Sequence, residues 1–270
     1  MKMKKIFSYL AMLSLLVSFY SCEKEEVMTF EGDRGINFVI YESAYDSYTD
    51  DYKNLESEHN FFTDYALGTS MELADFQVEV GVQLEGTYSD TPIKVKVKAE
   101  NVEGYEPVEV VLPEEIVIEP GDYRAHFSVS CKQPKAYNKE FKTKLVFDYS
   151  NSDVIAGSKE RQEYVITVSD EASWEDMYVE DLEEWNLRFS PYLGTAGDVK
   201  IRFIYTALKT INYHYNWTNS LYYYIVMGRP SWAFTSREMD CLRTQLDSYN
   251  ASHDTPLKEL DGTLVTFPAE

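Results

Sequence analysis

The chain has 270 residues, with 46 acidic against 25 basic side chains and a formal net charge of −21. A balance that negative repels nucleic acid, whose binders need a basic footprint, and disfavours adsorption to anionic lipid. Hydrophobic content of 44%, with 22 Tyr and 14 Phe but only 12 Gly, is that of a folded, strand-rich protein and not of a disordered acidic tail.

Lys2, Lys4 and Lys5 precede an apolar run, Ile6 to Tyr20, broken only by Ser8, Ser14 and Ser18, and Ser21-Cys22 follows. A transmembrane helix needs roughly 20 apolar residues, more than this run offers. The layout predicts a lipoprotein signal over residues 1–21, cut before Cys22. The Cys22 thiol then takes a diacylglycerol and its freed amine can be acylated, so two or three chains give stable anchoring in membrane lipid. An ordinary cleaved signal with an incidental cysteine is the alternative. Cleavage removes three lysines and no acids, leaving a net charge of −24. The residues after Cys22 are Glu23, Lys24, Glu25 and Glu26, at the head of a tether over 22–35. They resemble the surface-export tag of Bacteroidota lipoproteins, and the resemblance implies display on the outer leaflet of the outer membrane, with acylated Cys22 in outer-membrane lipid. Read without it, the run is a solvated charged tether.

Strands follow. Residues 36–41 form a first strand, and a polar Tyr- and Asp-rich stretch, 42–74, is either an insertion with its own structure or a functional loop. Val78, Val80, Val82 and Leu84 alternate with Glu79, Gly81, Gln83 and Glu85, and Ile93, Val95, Val97 and Ala99 alternate with Lys94, Lys96 and Lys98. This period of two predicts strands with one buried face each. The opposed charges on their wet faces suit an antiparallel hairpin turned by residues 86–92. Further strands are expected over 108–112, 115–118, 125–131, 141–147 and 164–168, with a tight turn at Pro120-Gly121-Asp122. Cys131 shares strand parity with Phe127 and Val129, which predicts a buried thiol. A Cys131–Cys241 bridge would have to join distant segments.

A boundary is expected near 169–173, dividing a β-sandwich domain over 36–170 from a smaller α+β domain over 171–270. Residues 174–185 read as a short helix or an extended link. Val199, Ile201, Phe203 and Tyr205 alternate with Lys200 and Arg202 and predict a strand, and 221–227 predicts another. The best helix is introduced by a Thr235/Glu238 capping box with Phe234 and Met239 as a staple. Met239, Leu242, Leu246 and Tyr249 form its apolar stripe and Asn250 its stop. Asp261-Gly262 reads as a turn between arms at 257–260 and 263–267. The fold class expected is therefore mainly β: an antiparallel sandwich plus an α+β unit with one clear helix.

The stretch 76–148 resembles the Calx-β and immunoglobulin-like modules, most directly through EEIVIEPGDYRAHFSV at 114–129, read as strand, Pro-Gly turn and strand. No Calx-β calcium ligand is matched residue by residue. With its lipobox, the segment CEKEEVMTFEGDRGINF and the later SPYLGTAGDVKIRFIYTALK, the chain resembles a Bacteroidota surface lipoprotein family of unassigned function. That family is commonly encoded beside SusC/SusD-type nutrient importers. The resemblance implies a place in uptake.

Catalytic motifs are not found. The four histidines, 59, 126, 214 and 253, lack zinc-protease spacing, and there is no nucleophile elbow or phosphate loop. A carboxylate pair for glycoside hydrolysis does not stand out among the 46 acids. Asp46, Asp50 and Asp51 lack the alternation and glycine of an EF-hand loop. No cofactor, metal or catalytic residue is assigned.

Two aromatic sets remain. Tyr213, Tyr215 and Trp217 share one face of an extended segment, with Asn216 on the other, and Tyr222 and Tyr224 follow a turn. Together they read as a stacking platform for sugar rings or peptide side chains, or as one face of a core. Tyr41, Tyr45, Tyr48 and Tyr52 form a second set in the long polar stretch, where exposed aromatics mark interfaces. The reading reached is an accessory surface lipoprotein of a SusC/SusD-type importer that binds an oligosaccharide or oligopeptide or docks on the transporter. A structural or adhesive surface module is the alternative, and a hydrolase the third.

Overall fold

The computed structural model describes residues 34–49, 55–67, 70–172, 182–211 and 236–269. The alternation along residues 76–85 does what its period requires. In β4 (Phe76–Glu85) the side chains of Val78, Val80, Val82 and Leu84 are buried. It is flanked antiparallel by β1 (Gly35–Glu42), with Phe38 opposite Val82, and by β9 (Arg124–Cys131), with Phe127 opposite Val80. The short β11 (Ile155–Ala156) and β2 (Ser47–Thr49) lie beside β1, and β7 (Val110–Val111) beside β9.

A second sheet faces this one. Its order is β3 (Glu56–Asn60), β12 (Glu163–Ser169), β10 (Glu140–Phe147) and β6 (Val97–Asn101), with β3 parallel to β12 and the rest antiparallel. The sheets close on one another through side chains such as Phe38 and Phe147, whose rings stack with centroids 4.1 Å apart. The chain is thus mainly β, an antiparallel sandwich as its strand pattern predicts. Cys131 is fully buried in this core and forms no bridge to Cys241. Burial, aided by Asp75, pushes the Cys131 thiol up to about 12.

The expected hairpin between 78–84 and 93–99 does not form. The second alternating run breaks at Lys96. β5 (Ile93–Val95) pairs with β8 (Ile116–Ile118), while β6 joins the facing sheet. The break is held by side chains that replace ladder partners: the backbone N–H of Lys94 donates to Asp153 Oδ2 (3.0 Å) and that of Lys96 to Ser152 Oγ (2.8 Å). Residues 86–92 therefore cross between sheets. The polar stretch 42–74 is absorbed likewise, giving β2 to one sheet, β3 to the other, and α1 (Phe62–Leu67) to a second core.

That second core is helical. α2 (Leu182–Leu193), α3 (Asp198–Ile211) and α4 (Ser236–Ser252) surround Trp185, Phe189, Leu193, Ile201, Ile204, Leu242 and Leu246. The strand expected at 199–205 is the middle of α3. Every residue from Val199 to Ala207 is buried, so Lys200 and Arg202 are not the wet positions of a half-exposed strand. The stripe Met239, Leu242, Leu246 of α4 is buried as expected, while Thr235 and the side chain of Glu238 lie outside the described residues. Asn250 does not stop the helix; its Oδ1 accepts the N–H of Leu257 at 2.8 Å and ties down the returning chain. The Asp261-Gly262 turn is present, with Gly262 at φ +87° and a single bridge, Lys258 opposite Leu264. The strand expected at 221–227 lies outside the described residues, as do 174–181 of the stretch read as a short helix or an extended link.

One polar cluster joins the two cores. Arg202 and Asp170 are both fully buried, with Nη2 2.6 Å from Oδ1, and Nε also donates to Oδ1 (2.7 Å). The Arg202 guanidinium lies 3.8 Å from the ring centroid of Tyr137 and donates to the backbone oxygens of Asp170 and Asp198. Gln133 Nε2 donates to Asp170 Oδ2 (2.8 Å) and to the Tyr65 hydroxyl (2.6 Å). The buried pair is thereby fully hydrogen-bonded, which burying a charge demands.

Candidate binding face

The aromatic platform expected from Tyr213, Tyr215, Asn216, Trp217, Tyr222 and Tyr224 lies outside the described residues, as do Cys22, Lys24, Glu25, Glu26, Asp50, Asp51 and Tyr52. The second aromatic set does come together, on the outer face of the first sheet. Residues of β1, β4 and β9 whose neighbours point into the core must point outwards. This parity places Tyr41, Gln77, Glu79, Gly81, Gln83, Arg124, His126, Ser128 and Ser130 on one surface.

Gly81 organises the aromatic half of that surface. It sits between Val39 and His126 in the paired strands. A Cβ there would meet Val39 Cγ2 at 2.8 Å, Val39 O at 2.9 Å and Tyr48 Cδ1 at 3.1 Å. Glycine inside a strand commonly marks such a close approach. The gap lets the Tyr48 ring, carried by β2, lie back across the sheet, and Val39 beneath is only 2% exposed. Tyr41 and His126 stack with centroids 3.9 Å apart and planes 4° from parallel. The Tyr48 hydroxyl lies 3.3 Å from His126 Nδ1. The Arg124 guanidinium continues the row, 5.3 Å from the centroid of Tyr48 and 4.9 Å from that of Tyr123. Its Nε is fixed by donating to Gln83 Oε1 at 2.8 Å.

At one end, the Tyr41 hydroxyl donates to Asp46 Oδ1 (2.8 Å) in the 42–47 turn, where Asp46 adopts a left-handed φ of +46°. That bond, with desolvation, pushes the Tyr41 phenol up to about 12, so it remains a donor at neutral pH. Desolvation raises Tyr48 as well. Tyr45 at the turn's tip is 78% exposed and Tyr123 is 47% exposed.

The other half of the face is a row of amides, hydroxyls and a carboxylate. Ser128 Oγ donates to Gln77 Oε1 (3.0 Å), Gln77 Nε2 to Ser130 Oγ (3.1 Å) and Ser130 Oγ to Asp75 Oδ2 (2.8 Å), all at the surface. From Arg124 to Ser130 the strand runs about 20 Å at its usual rise per residue.

Sequence reasoning found Tyr41, Tyr45 and Tyr48 but not Arg124, His126 or Tyr123. The signal for His126 was present, since it has the parity opposite to Phe127 and Cys131. What the sequence did not show was that β9 lies two strands from β1, across β4.

Two other clusters have catalytic-looking composition and structural roles. His253 lies between Ser252 Oγ (3.0 Å from Nδ1) and Glu72 Oε1 (3.7 Å from Nε2), the order of a hydrolytic triad. But Tyr249 O is 2.7 Å from His253 Nδ1 and also accepts from Ser252 Oγ at 2.9 Å. With Nδ1 donating to that carbonyl it has no lone pair for the serine proton, so the pair closes the end of α4. His59 Nε2 lies 2.9 Å from Asp64 Oδ2, and its ring stacks 3.9 Å from Phe76. It fastens α1 to the sandwich.

No family model matches the chain, and no curated protein matches it. Among solved structures, the apo-form Calx CBD1 domain is similar at 10% identity over 52% of this chain and 100% of that one, with a TM-score of 0.33. The Calx CBD2 domain is similar at 12% identity over 44% of this chain and 83% of that one, with a TM-score of 0.27. Bacteroides thetaiotamicron EndoBT-3987 with Man5GlcNAc product is similar at 10% identity over 44% of this chain but 29% of that one, with a TM-score of 0.33. The Calx domains are β-sandwiches. Likenesses this distant carry no argument about activity, and the fold stated above rests on the strands themselves.

Proposed function

We propose that this protein is a lipid-anchored, surface-displayed accessory of an outer-membrane SusC/SusD-type nutrient importer, and that it captures an oligosaccharide on the outer face of its sandwich. The anchoring part rests on the signal, Cys22 and the Lys24-Glu25-Glu26 run. The binding part rests on one observation. A row of aromatic side chains on β1, β2 and β9, with Tyr45 and Tyr123 in the flanking turns, adjoins a row of amide, hydroxyl and carboxylate groups on one face of the sheet. Sugar rings present C–H faces that pack on aromatic planes, and hydroxyls that need both donors and acceptors. Tyr45 and Tyr123 supply open rings, and Gln77, Ser128, Ser130 and Asp75 supply both kinds of polar partner. Stacking and side-chain bonds hold the face in place before any ligand arrives, which lowers the ordering cost of binding.

A glycan array followed by calorimetry on the protein lacking residues 1–22 tests this. Tyr123→Ala and Gln77→Ala, at exposed positions, should leave the melting temperature nearly unchanged. Tyr123→Ala should weaken binding by about 1–3 kcal/mol, the scale of a lost aromatic anchor. Glycan affinity unchanged in both variants, or a wild-type protein that binds oligopeptides and no glycan, would overturn the reading of this face.

A further inference from the structure

The helical region holds a cavity of about 660 Å³ between residues 194–197, with the start of α3, and the C-terminal hairpin. That volume lies within the usual range for small-molecule sites, roughly 300–1,000 Å³. In its wall is Lys200, a residue only 3% exposed. The ammonium is placed by three other lining residues: it donates to Thr195 O at 3.1 Å, lies 5.1 Å from the ring centroid of Phe267, and would be 3.1 Å from a Cβ on Gly194.

An ammonium has three donors. Thr195 O takes one, and among the described residues Lys200 makes no ion pair. The acids lining the cavity are each engaged elsewhere. Glu259 accepts the backbone N–H groups of Val199 (2.9 Å) and Lys200 (3.0 Å) at the start of α3. Asp198 Oδ1 accepts from Asn138 Nδ2 (2.9 Å), and Asp261 Oδ1 accepts the N–H of Thr263 (2.8 Å) within its own turn. Burial pulls the Lys200 ammonium down to about 8, against the opposing pull of Glu259. A buried cation with unfilled donors is costly unless an anion completes it.

We propose that this cavity is a binding site for a small carboxylate-bearing ligand, whose carboxylate pairs with Lys200. Thr195 and Thr266 also line the cavity, and their hydroxyls are polar partners of the kind a hydroxy acid or acidic sugar uses.

The test uses the protein from residue 23 onwards with D-glucuronate as probe and D-glucose, which lacks the carboxylate, as control. Both are compared by thermal shift and calorimetry at fixed ionic strength. Glucuronate should raise the melting temperature in proportion to its occupancy, and glucose should not. Lys200→Met should weaken glucuronate binding at least tenfold, and Lys200→Arg should retain most of it. Thr263→Trp fills the cavity from an exposed position, so it should abolish binding while leaving the fold intact, and it decides the matter if the Lys200 variants fail to fold. Equal stabilisation by glucuronate and glucose, no stabilisation by glucuronate, or unchanged glucuronate affinity in Thr263→Trp would each overturn the proposal.

Discussion

The sandwich and the helical region treat charge in opposite ways. On the sandwich, lysine and glutamate pair at the surface, as in Lys94–Glu115 and Lys144–Glu163, where the side chains keep 26–57% exposure. In the helical region, α3 carries Lys200 and Arg202 into the interior, and the Arg202–Asp170 pair is wholly buried. A surface pair gains little because water screens it. A buried pair is expensive to form and more expensive to break, because each member is left as an uncompensated charge. The same residue types therefore decorate one core and join the other to it.

The largest expected effect follows from that contrast. Asp170→Ala leaves the Arg202 guanidinium buried among Phe62, Tyr65 and Tyr137 and should destabilise the protein by about 3–5 kcal/mol in denaturant unfolding. Adding Arg202→Met should recover much of the loss. A single-variant loss below about 1 kcal/mol would mean that Arg202 reaches water, and the two regions would then not differ.

A smaller effect belongs to the outer face of the sandwich. Gly81→Val forces a methyl-bearing carbon against the backbone oxygen of Val39 as well as its side chain, so the strand itself must move. The expected cost is about 1–3 kcal/mol, typical of overpacking. The near-ultraviolet circular dichroism of the tyrosines should change as Tyr48 is lifted off the sheet. A stable variant with unchanged tyrosine signal would mean that Tyr48 does not lie over Gly81.

Lys200 gives the helical region a pH dependence that the surface lysines do not provide. Its folded pKa, about 8, is below its ordinary value of 10.5. Between those values the folded chain binds fewer protons than the unfolded one, so stability from this group rises with pH, starting near 8. Cys131 acts in the opposite sense. Its thiol ionises near 9 when unfolded and near 12 when folded, so stability falls as pH climbs above 9. In chemical denaturation between pH 8 and 9 the first effect outweighs the second, because the unfolded thiol is at most half ionised there. Wild type should gain stability there, and Lys200→Met should show a flatter profile. Equal slopes would show that Lys200 is solvated like the sandwich lysines.

This contrast also explains what the sequence could reveal. Period-two alternation identified β4 because it has one wet face, so polarity reports orientation, while β9, β10 and β12 were legible as short strand runs between turns. It failed at 199–205, where Lys200 and Arg202 are polar and buried and polarity reports partners instead. Asp170, the partner of Arg202, lies 32 positions away, and no local pattern announces it. α4 was legible because its buried stripe, Met239, Leu242 and Leu246, has a polar opposite face. The candidate binding face was half legible: Tyr41, Tyr45 and Tyr48 cluster in sequence, whereas Arg124 and His126 are brought to them only by the β1–β4–β9 order. The hairpin reading of 78–99 failed for the same reason. Opposed charges suited an antiparallel pair, but strand order is set by how two sheets share a core.

The smallest expected effect tests that last point. Lys94 and Glu115 are the charges that a β4–β5 hairpin would have paired differently, Lys94 facing a glutamate of β4. Instead β5 pairs with β8, placing Lys94 opposite Val117, and Lys94 Nζ reaches Glu115 just before β8 at 3.1 Å. Lys94 is 57% exposed and Glu115 39% exposed, so water competes for both ends of the pair. A double-mutant cycle with Lys94→Ala and Glu115→Ala should give a coupling energy of about 0.2–1 kcal/mol, falling with added salt. The matching cycle between Lys94→Ala and Glu79→Ala should give none. Coupling to Glu79 in place of Glu115 would restore the hairpin and require the two sheets to be joined differently.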